Sequence, residues 1–505
     1  MSNFIGIDLG TSYTVVATLD HTGRPVIVHN GDGGNLTASV VEFTGNAAED
    51  VVYVGDAAKK TLNRNPNTFG RFKRDMGTDI SFSAYGNSYS PTDLSAFVLK
   101  KIRRDAAKSI GQIDGAVITI PANFSHEARE ATMQAGQMAG LNSKNIINEP
   151  TAAAIYYAYK EGQELRGVYA VYDLGGGTFD VSIIRVAGRD VEVLATNGIG
   201  KLGGDDFDKS LQGLIQGEFK KQTRVNLTDD DYDLTLAEIE KKSLSIREKV
   251  LVGASAAGKR ANIEITRSMF EERISTLVAQ TEMMCESTLT EAGISKDEIS
   301  AVFLAGGSTR IPFVIASVER IFGSKPVSTT NVDEVVALGA ALYAAYKGDQ
   351  SLLSPVQKQV VKDLTVSEIT SKCFGVISLN TDKDRSEYRL QNSILINKGT
   401  AIPTAVSESF FTTHDGQTAV QCRVTESTSP ERDPRFVKVI WEGDLELPEG
   451  RPEGQEIMVK FSYDENQVMH CSFTDSATSV VTEVDLHMSA AGKKQAADIE
   501  RFTVE

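Results

Sequence analysis

The apolar positions of this chain change rhythm near residue 350. Before it, short continuous apolar runs alternate with longer stretches whose apolar residues recur at helical spacing. That alternation predicts strands and helices stacked in α/β layers. A strand pair is expected over residues 1–20 and a helix over 93–110. A buried strand at Ala116–Ile120 ends at Pro121. The helix expected at 125–140 has Ser125 as its N-cap and Gly140 as its stop. A short strand at Asn145–Ile147 leads into a helix reaching Tyr159, and 205–300 reads as largely helical with solvated Lys/Glu faces. Strand 301–304 and a helix over 332–347 complete this region. From 371 to 487 the period becomes two, with turn residues between the runs. Strands are expected at 374–379, 392–397, 405–412, 419–425, 437–441, 456–463, 468–474 and 480–486, the spacing of a β-sandwich. The stretch 354–370 has no strong period and reads as a linker or edge strand.

Ahead of residue 350 a single local pattern occurs twice. Ile5–Val15 and Val171–Val181 each run apolar strand, Asp-Leu-Gly, Gly/Thr turn, apolar strand. Glycines let a backbone approach phosphate oxygens, and Thr or Ser hydroxyls add donors. An Asp beside phosphates requires a cation between them, so Asp8 and Asp173 argue for Mg²⁺ or its water shell. One copy alone would be a plain hairpin. Two copies suggest lobes gripping a nucleotide's phosphates from opposite sides.

Composition narrows the classes. With 505 residues, 41% hydrophobic and 24% charged, the chain is long enough for about three domain-sized units of ordinary globular character. A net charge of −16 disfavours nucleic acid or an anionic membrane as the main partner. Cys285, Cys373, Cys422 and Cys471 are widely spaced, which fits reduced, buried thiols, and the six histidines show no ligand spacing. Neither a leader pattern nor a run of 18 apolar residues is present, so a cytoplasmic protein is expected. Gly253–Arg260 nearly matches a P-loop. Arg260 stands where Mg²⁺ needs a hydroxyl, however, and a strand follows, so it reads as a hairpin turn.

Several motifs in order then carry a resemblance over nearly the whole chain: GIDLGTSY at 6–13, FKR at 72–74, ITIPANF at 118–124, INEPTAAA at 147–154, DLGGGTFDVSI at 173–183, LGGDDFD at 202–208, AGGSTRIP at 305–312 and VKDL at 361–364. The sequence resembles the DnaK-type, or heat-shock seventy, chaperones. The resemblance implies an α/β actin-like two-lobed ATPase domain (1–353), a linker (354–370) and an all-β sandwich that binds extended apolar polypeptide (371–488). Residues 489–505 are then a helical stub without the family's lid. ATP or ADP, Mg²⁺ and K⁺ are the implied cofactors. A J-domain co-chaperone and a nucleotide exchange factor are implied partners, in protein folding and the stress response.

By the same resemblance Asp8 and Asp173 hold Mg²⁺ through water, Asp180 helps to bind K⁺, and Lys73 is the catalytic lysine near the γ-phosphate. Thr178 belongs to the catalytic set, and Glu149 couples the nucleotide to the inter-lobe hinge. Gly10, Thr11, Ser12 and Tyr13 line the first loop; Gly175, Gly176 and Gly177 line the second. Gly203 and Gly204 lie nearby. Glu238, Lys241 and Ser245 share one helical face toward the nucleoside, and Gly306, Gly307, Ser308, Arg310 and Asp333 lie against the base. Phe411 and Val420 are the nearest matches to groove-lining residues, with plain sandwich core as the equal alternative.

Three departures stand out. Thr365 and Ser367 replace apolar linker residues, which implies weaker or differently tuned coupling. Asn145 stands where the family has an arginine that docks the J-domain, which implies a different or absent J partner. The lid's absence implies fast peptide exchange. Besides an ATP-hydrolysing chaperone, an ATP-binding scaffold or co-chaperone with little nucleotide–peptide coupling stays open. A sugar-kinase-like phosphotransferase ranks last, because it gives no reason for a linker and sandwich.

Overall fold

The computed structural model describes residues 3–45, 51–143, 145–161, 165–327, 331–381, 388–464, 467–484 and 499–505. The chain forms two compact units. The first comprises Met1–Asn123, Ala131–Val366 and Ala497–Glu505; the second comprises Phe124–Glu130 and Ser367–Ala496.

The first unit is built on the same plan twice. In one lobe, strand Phe4–Leu9 pairs antiparallel with Tyr13–Leu19 and parallel with Gly115–Ile120, which pairs in turn with Asn145–Asn148. In the other, Arg166–Leu174 pairs antiparallel with Phe179–Ala187 and parallel with Ile299–Ala305. Strand Asp190–Ile199 extends that sheet. The first strand of each hairpin is buried along most of its length, as expected where helices cover a sheet on both faces. Each has its Asp one residue before its end, so both acidic loops leave their sheets at the same structural point.

Local signals explain the helices around these sheets. Ser90 and Asp93 form a reciprocal capping box ahead of helix Pro91–Ile110, with Pro91 at the first turn and Gly111 closing it at φ +86°. The Ser125 hydroxyl accepts from the Ala128 amide at the start of helix His126–Met138. The helix expected over 332–347 begins at Val335. Gly253–Arg260 does form a turn between two strands, Lys249–Ala256 and Lys259–Thr266.

Two stretches differ from expectation. Within 354–370, Pro355–Val361 is a helix, capped by Ser354 and Gln357, and Thr365–Ile369 is a strand. Thr365 is seated by polar contacts rather than apolar ones: its amide donates to the Arg189 carbonyl at 3.2 Å and its hydroxyl to Asp190 at 2.6 Å. The helical stub expected at 489–505 is not what residues 499–505 form. Ile499–Arg501 is a 3₁₀ turn, and Thr503–Val504 is a strand of the first unit. The rest of that expectation lies outside the described residues.

Among its described residues the second unit holds two antiparallel sheets of four strands. One runs Tyr388–Ile396, Cys373–Thr381, Ala419–Ser427, Lys438–Glu446; the other runs Thr404–Phe411, Glu456–Tyr463, Met469–Asp475, Val481–Val484. Phe374, Ile396, Val424, Leu445, Phe461 and Phe473 from the two sheets share one core. All four cysteines are free and buried, and burial pushes the Cys422 thiol up to about 12.

Candidate nucleotide site

The two acidic loops face each other. A Cβ added at Gly177 would lie 2.6 Å from the Thr11 side chain, and one at Gly203 would lie 2.7 Å from the Gly176 backbone. Only glycine permits that approach. Hydroxyls pin the loops from behind: Ser39 donates to the Gly10 carbonyl and Ser308 to the Gly175 carbonyl, each at 2.8 Å. The amides of Gly204 and Asp205 donate to the carbonyls of Gly175 and Gly176, which ties the second loop to helix Gly204–Thr223.

Between the lobes of this unit lies a cavity of about 830 Å³, within the range of small-molecule and cofactor sites. Asp8, Gly10 to Tyr13, Lys73, Glu149, Asp173, Gly175, Gly176 and Thr178 line it at one end. Gly204, Glu238, Lys241, Ser245, Gly306 to Ser308, Arg310 and Asp333 are among the residues that line the remainder. Gly177, Gly203 and Asp180 stand outside the lining. Gly177 and Gly203 make the close contacts just described, and Asp180 is buried opposite Asp173 in the hairpin, accepting from the Asn123 amide at 3.2 Å.

Lys73 sits on a short 3₁₀ turn, Phe72–Asp75, anchored by buried Phe72. Its Nζ lies 2.5 Å from Glu149 Oε1, both side chains being buried. Carboxylates crowd the same end. Burial, then the Glu149 charge, raises Asp8 to about 7, against the pull of Lys73 and the Thr119 hydroxyl. Burial, then Glu149, Asp180 and Asp8, raises Asp173 well above the usual carboxylate range. Such a set can be fully ionised only with added positive charge. Among the described residues no group of three or more His, Cys, Asp or Glu side chains could hold a metal directly. The crowded carboxylates suit a cation, and the glycine cradle beside them suits phosphate.

At the other end Lys241 donates to the Gly204 carbonyl at 2.8 Å and pairs with Asp208 at 2.9 Å. Arg310 pairs with Asp333 at 2.8 Å and stays half exposed. Glu238 joins Lys59 at 3.0 Å and Lys242 at 2.7 Å, and Lys59 donates to the Tyr13 hydroxyl at 2.6 Å. Burial opposes ionisation of Glu238, yet the two lysines hold its carboxyl down to about 2. Arg71–Asp205 and Arg74–Asp206, at 2.9 and 2.5 Å, are further ties between the lobes. The motif reading missed Lys59, Lys242, Asp205 and Asp208. The last two were within reach, because they belong to the LGGDDFD run already singled out.

In the second unit Phe411 and Val420 lie on strands of different sheets. Phe411 is 59% exposed, whereas Val420 packs against the core beside Phe410. Core therefore describes Val420 better than Phe411.

A twofold-repeated hairpin sheet with a phosphate-suited cleft between its lobes is the plan of the actin-like ATPases. The Hsp70 protein family model matches residues 4–85 and 78–505, and the chain belongs to the Hsp70 family. Members of that family are generally ATP-dependent chaperones that bind ATP or ADP with Mg²⁺, unfolded polypeptide, and J-domain and exchange-factor partners.

Proposed function

We propose that this protein is an ATP-dependent chaperone whose first unit binds ATP and hydrolyses it slowly, and whose second unit, a β-sandwich, takes extended apolar polypeptide. The observation that carries the reading is the pair of glycine loops meeting face to face over Asp8, Asp173 and Lys73. Bound there, ATP with Mg²⁺ supplies the phosphoryl group and the charge that this end of the cleft lacks. Backbone amides and hydroxyls of Gly10–Tyr13 and Gly175–Thr178 would hold the phosphates. Asp8 and Asp173 would hold the cation and position the attacking water. The Lys73 ammonium, positioned by Glu149, stabilises negative charge as the bond to the leaving group breaks. Glu238, Lys241, Ser245 and Arg310, which line the rest of the cavity, would hold the nucleoside. Asp180 as a K⁺ ligand rests on the resemblance alone. Phe411, an exposed aromatic on an edge strand of its sheet, is the anchor proposed for peptide.

The polar seat of Thr365 favours a second reading, an ATP-binding scaffold in which nucleotide and peptide are not coupled. One experiment separates them. Anisotropy of a labelled apolar heptapeptide is followed with and without ATP, beside single-turnover hydrolysis by wild type and Lys73→Ala. ATP-accelerated peptide release together with hydrolysis lost in Lys73→Ala supports the chaperone. Nucleotide binding without hydrolysis or without effect on peptide supports the scaffold.

A further inference from the structure

The last described residues, Ile499–Glu505, are bound the way a peptide ligand is bound. Thr503 and Val504 pair in parallel with Val51 and Val52, the Val54 amide donates to the Glu505 carbonyl at 2.7 Å, and the Glu505 amide donates to the Val52 carbonyl at 2.9 Å. Among the described residues strand Val51–Val54 otherwise pairs only with Val40–Phe43, so the segment fills its other edge. Ile499, Phe502 and Val504 are at most 7% exposed, while Glu500, Arg501, Thr503 and Glu505 face outward. The Phe502 ring meets Phe97 edge-on at 5.3 Å and lies 6.2 Å from Phe43 and 6.4 Å from Tyr89. Two cations one turn apart on helix Pro91–Ile110 complete the groove. Lys100 donates to the carbonyls of Ile499 and Phe502 at 2.8 and 3.0 Å, and Arg104 donates to that of Val504.

We propose that the Val51–Val54 edge, with the Phe97–Arg104 face of the neighbouring helix, is a strand-acceptor site whose occupant is this chain's own Ile499–Glu505 segment. The geometry is that of strand addition: main-chain bonds supply affinity, and pockets for alternate apolar side chains supply specificity. Its consequence is topological. A segment that follows the second unit's strands in the sequence is thereby part of the first unit's sheet. This inference is independent of any nucleotide or peptide activity.

The test uses the full chain with a protease site placed between Val484 and Ile499, folded first and cut afterwards. Size-exclusion chromatography with mass spectrometry then reads whether the fragment ending at Glu505 stays bound on dilution. Retention is expected, with the half-dissociation concentration rising roughly 100-fold in Phe502→Ala, the scale set by truncating a buried aromatic. Prompt loss of the wild-type fragment, or equal retention in Phe502→Ala, overturns the proposal. In the uncut chain, Phe502→Ala is expected to speed amide hydrogen exchange at Val54 by at least tenfold, and unchanged exchange there also overturns it.

Discussion

Replacing Glu238 by Gln probes how the cleft holds its nucleotide. The carboxylate lies on helix Leu234–Ile246 of one lobe and bridges to Lys59, which ends helix Asp56–Lys59 of the other. Two lysines hold its carboxyl from an ordinary 4.5 down to about 2, against the effect of burial. At 1.36 kcal/mol per pKa unit this difference sets a ceiling of about 3 kcal/mol on the stabilisation. Glutamine keeps the shape and removes the charge, so Lys59 and Lys242 face one another with no negative charge between them. If half or more of that ceiling holds the lobes closed, release of a fluorescent ADP analogue in stopped flow accelerates roughly 10- to 100-fold. Lys59→Met should act through the same bridge, so the double variant is expected to be no faster than the worse single one. The sign of the pH dependence follows from the depressed carboxyl. The contribution is complete above about pH 4.5 and is lost as pH falls from there through 2, so wild type and variant differ by a constant factor from about pH 5.5 to 8. Release rates within about twofold of each other, or single effects that add in full, would refute the reasoning.

Four other substitutions test the cleft, a helix beside it and the core of the second unit. Lys73→Ala leaves Glu149 buried without its 2.5 Å partner; single-turnover hydrolysis is expected to fall roughly 100- to 1000-fold, and a loss under tenfold would remove Lys73 from the chemistry. Gly177→Ala puts a Cβ 2.6 Å from Thr11 and should weaken ADP binding at least tenfold by calorimetry. Gly213→Ala, on a helix where a Cβ meets nothing within 4 Å, is expected to leave that affinity unchanged and to raise stability by up to about 1 kcal/mol. Phe461→Ala empties a fully buried position between the two sheets and should cost the second unit about 3–5 kcal/mol in denaturant melts, with ADP affinity of the first unit unaltered.

What could be read from the sequence was local. The two hairpins were legible because Asp-Leu-Gly between apolar strands is a short-range pattern, and the limits of helix His126–Met138 were signalled by Ser125 and Gly140. The helix Pro355–Val361 carried an equally local signal, Ser354 and Gln357 around Pro355, which weak apolar periodicity obscured. The last segment misled for a different reason. Ile499 and Phe502 stand three apart, as on a helix, while Phe502 and Val504 stand two apart, as on a strand. Carbonyl contacts from Lys100 across some 400 positions decide between them. Lys59 was invisible because its bridge spans 179 positions and belongs to no motif. Phe410 and Phe411 are chemically alike neighbours, so only the strand's phase tells which one faces the core.

The charge pattern of the cleft explains why the hairpin is repeated at all. Asp8 and Asp173 come from equivalent points of two sheets, and each is raised first by burial and then by the same neighbour, Glu149. Lys73 opposes both shifts without cancelling either, since Asp8 still rests near 7. The protein therefore brings more buried carboxylate to this point than its own lysine neutralises, an arrangement costly for a fold alone. A cation shared between the two hairpins would offset that cost only while both lobes face it. Lobe closure and cation binding would then stabilise each other, with Arg71–Asp205, Arg74–Asp206 and Lys59–Glu238 as the pairs that join the lobes. One hairpin could hold a phosphate; two opposed ones would make its retention depend on the distance between lobes.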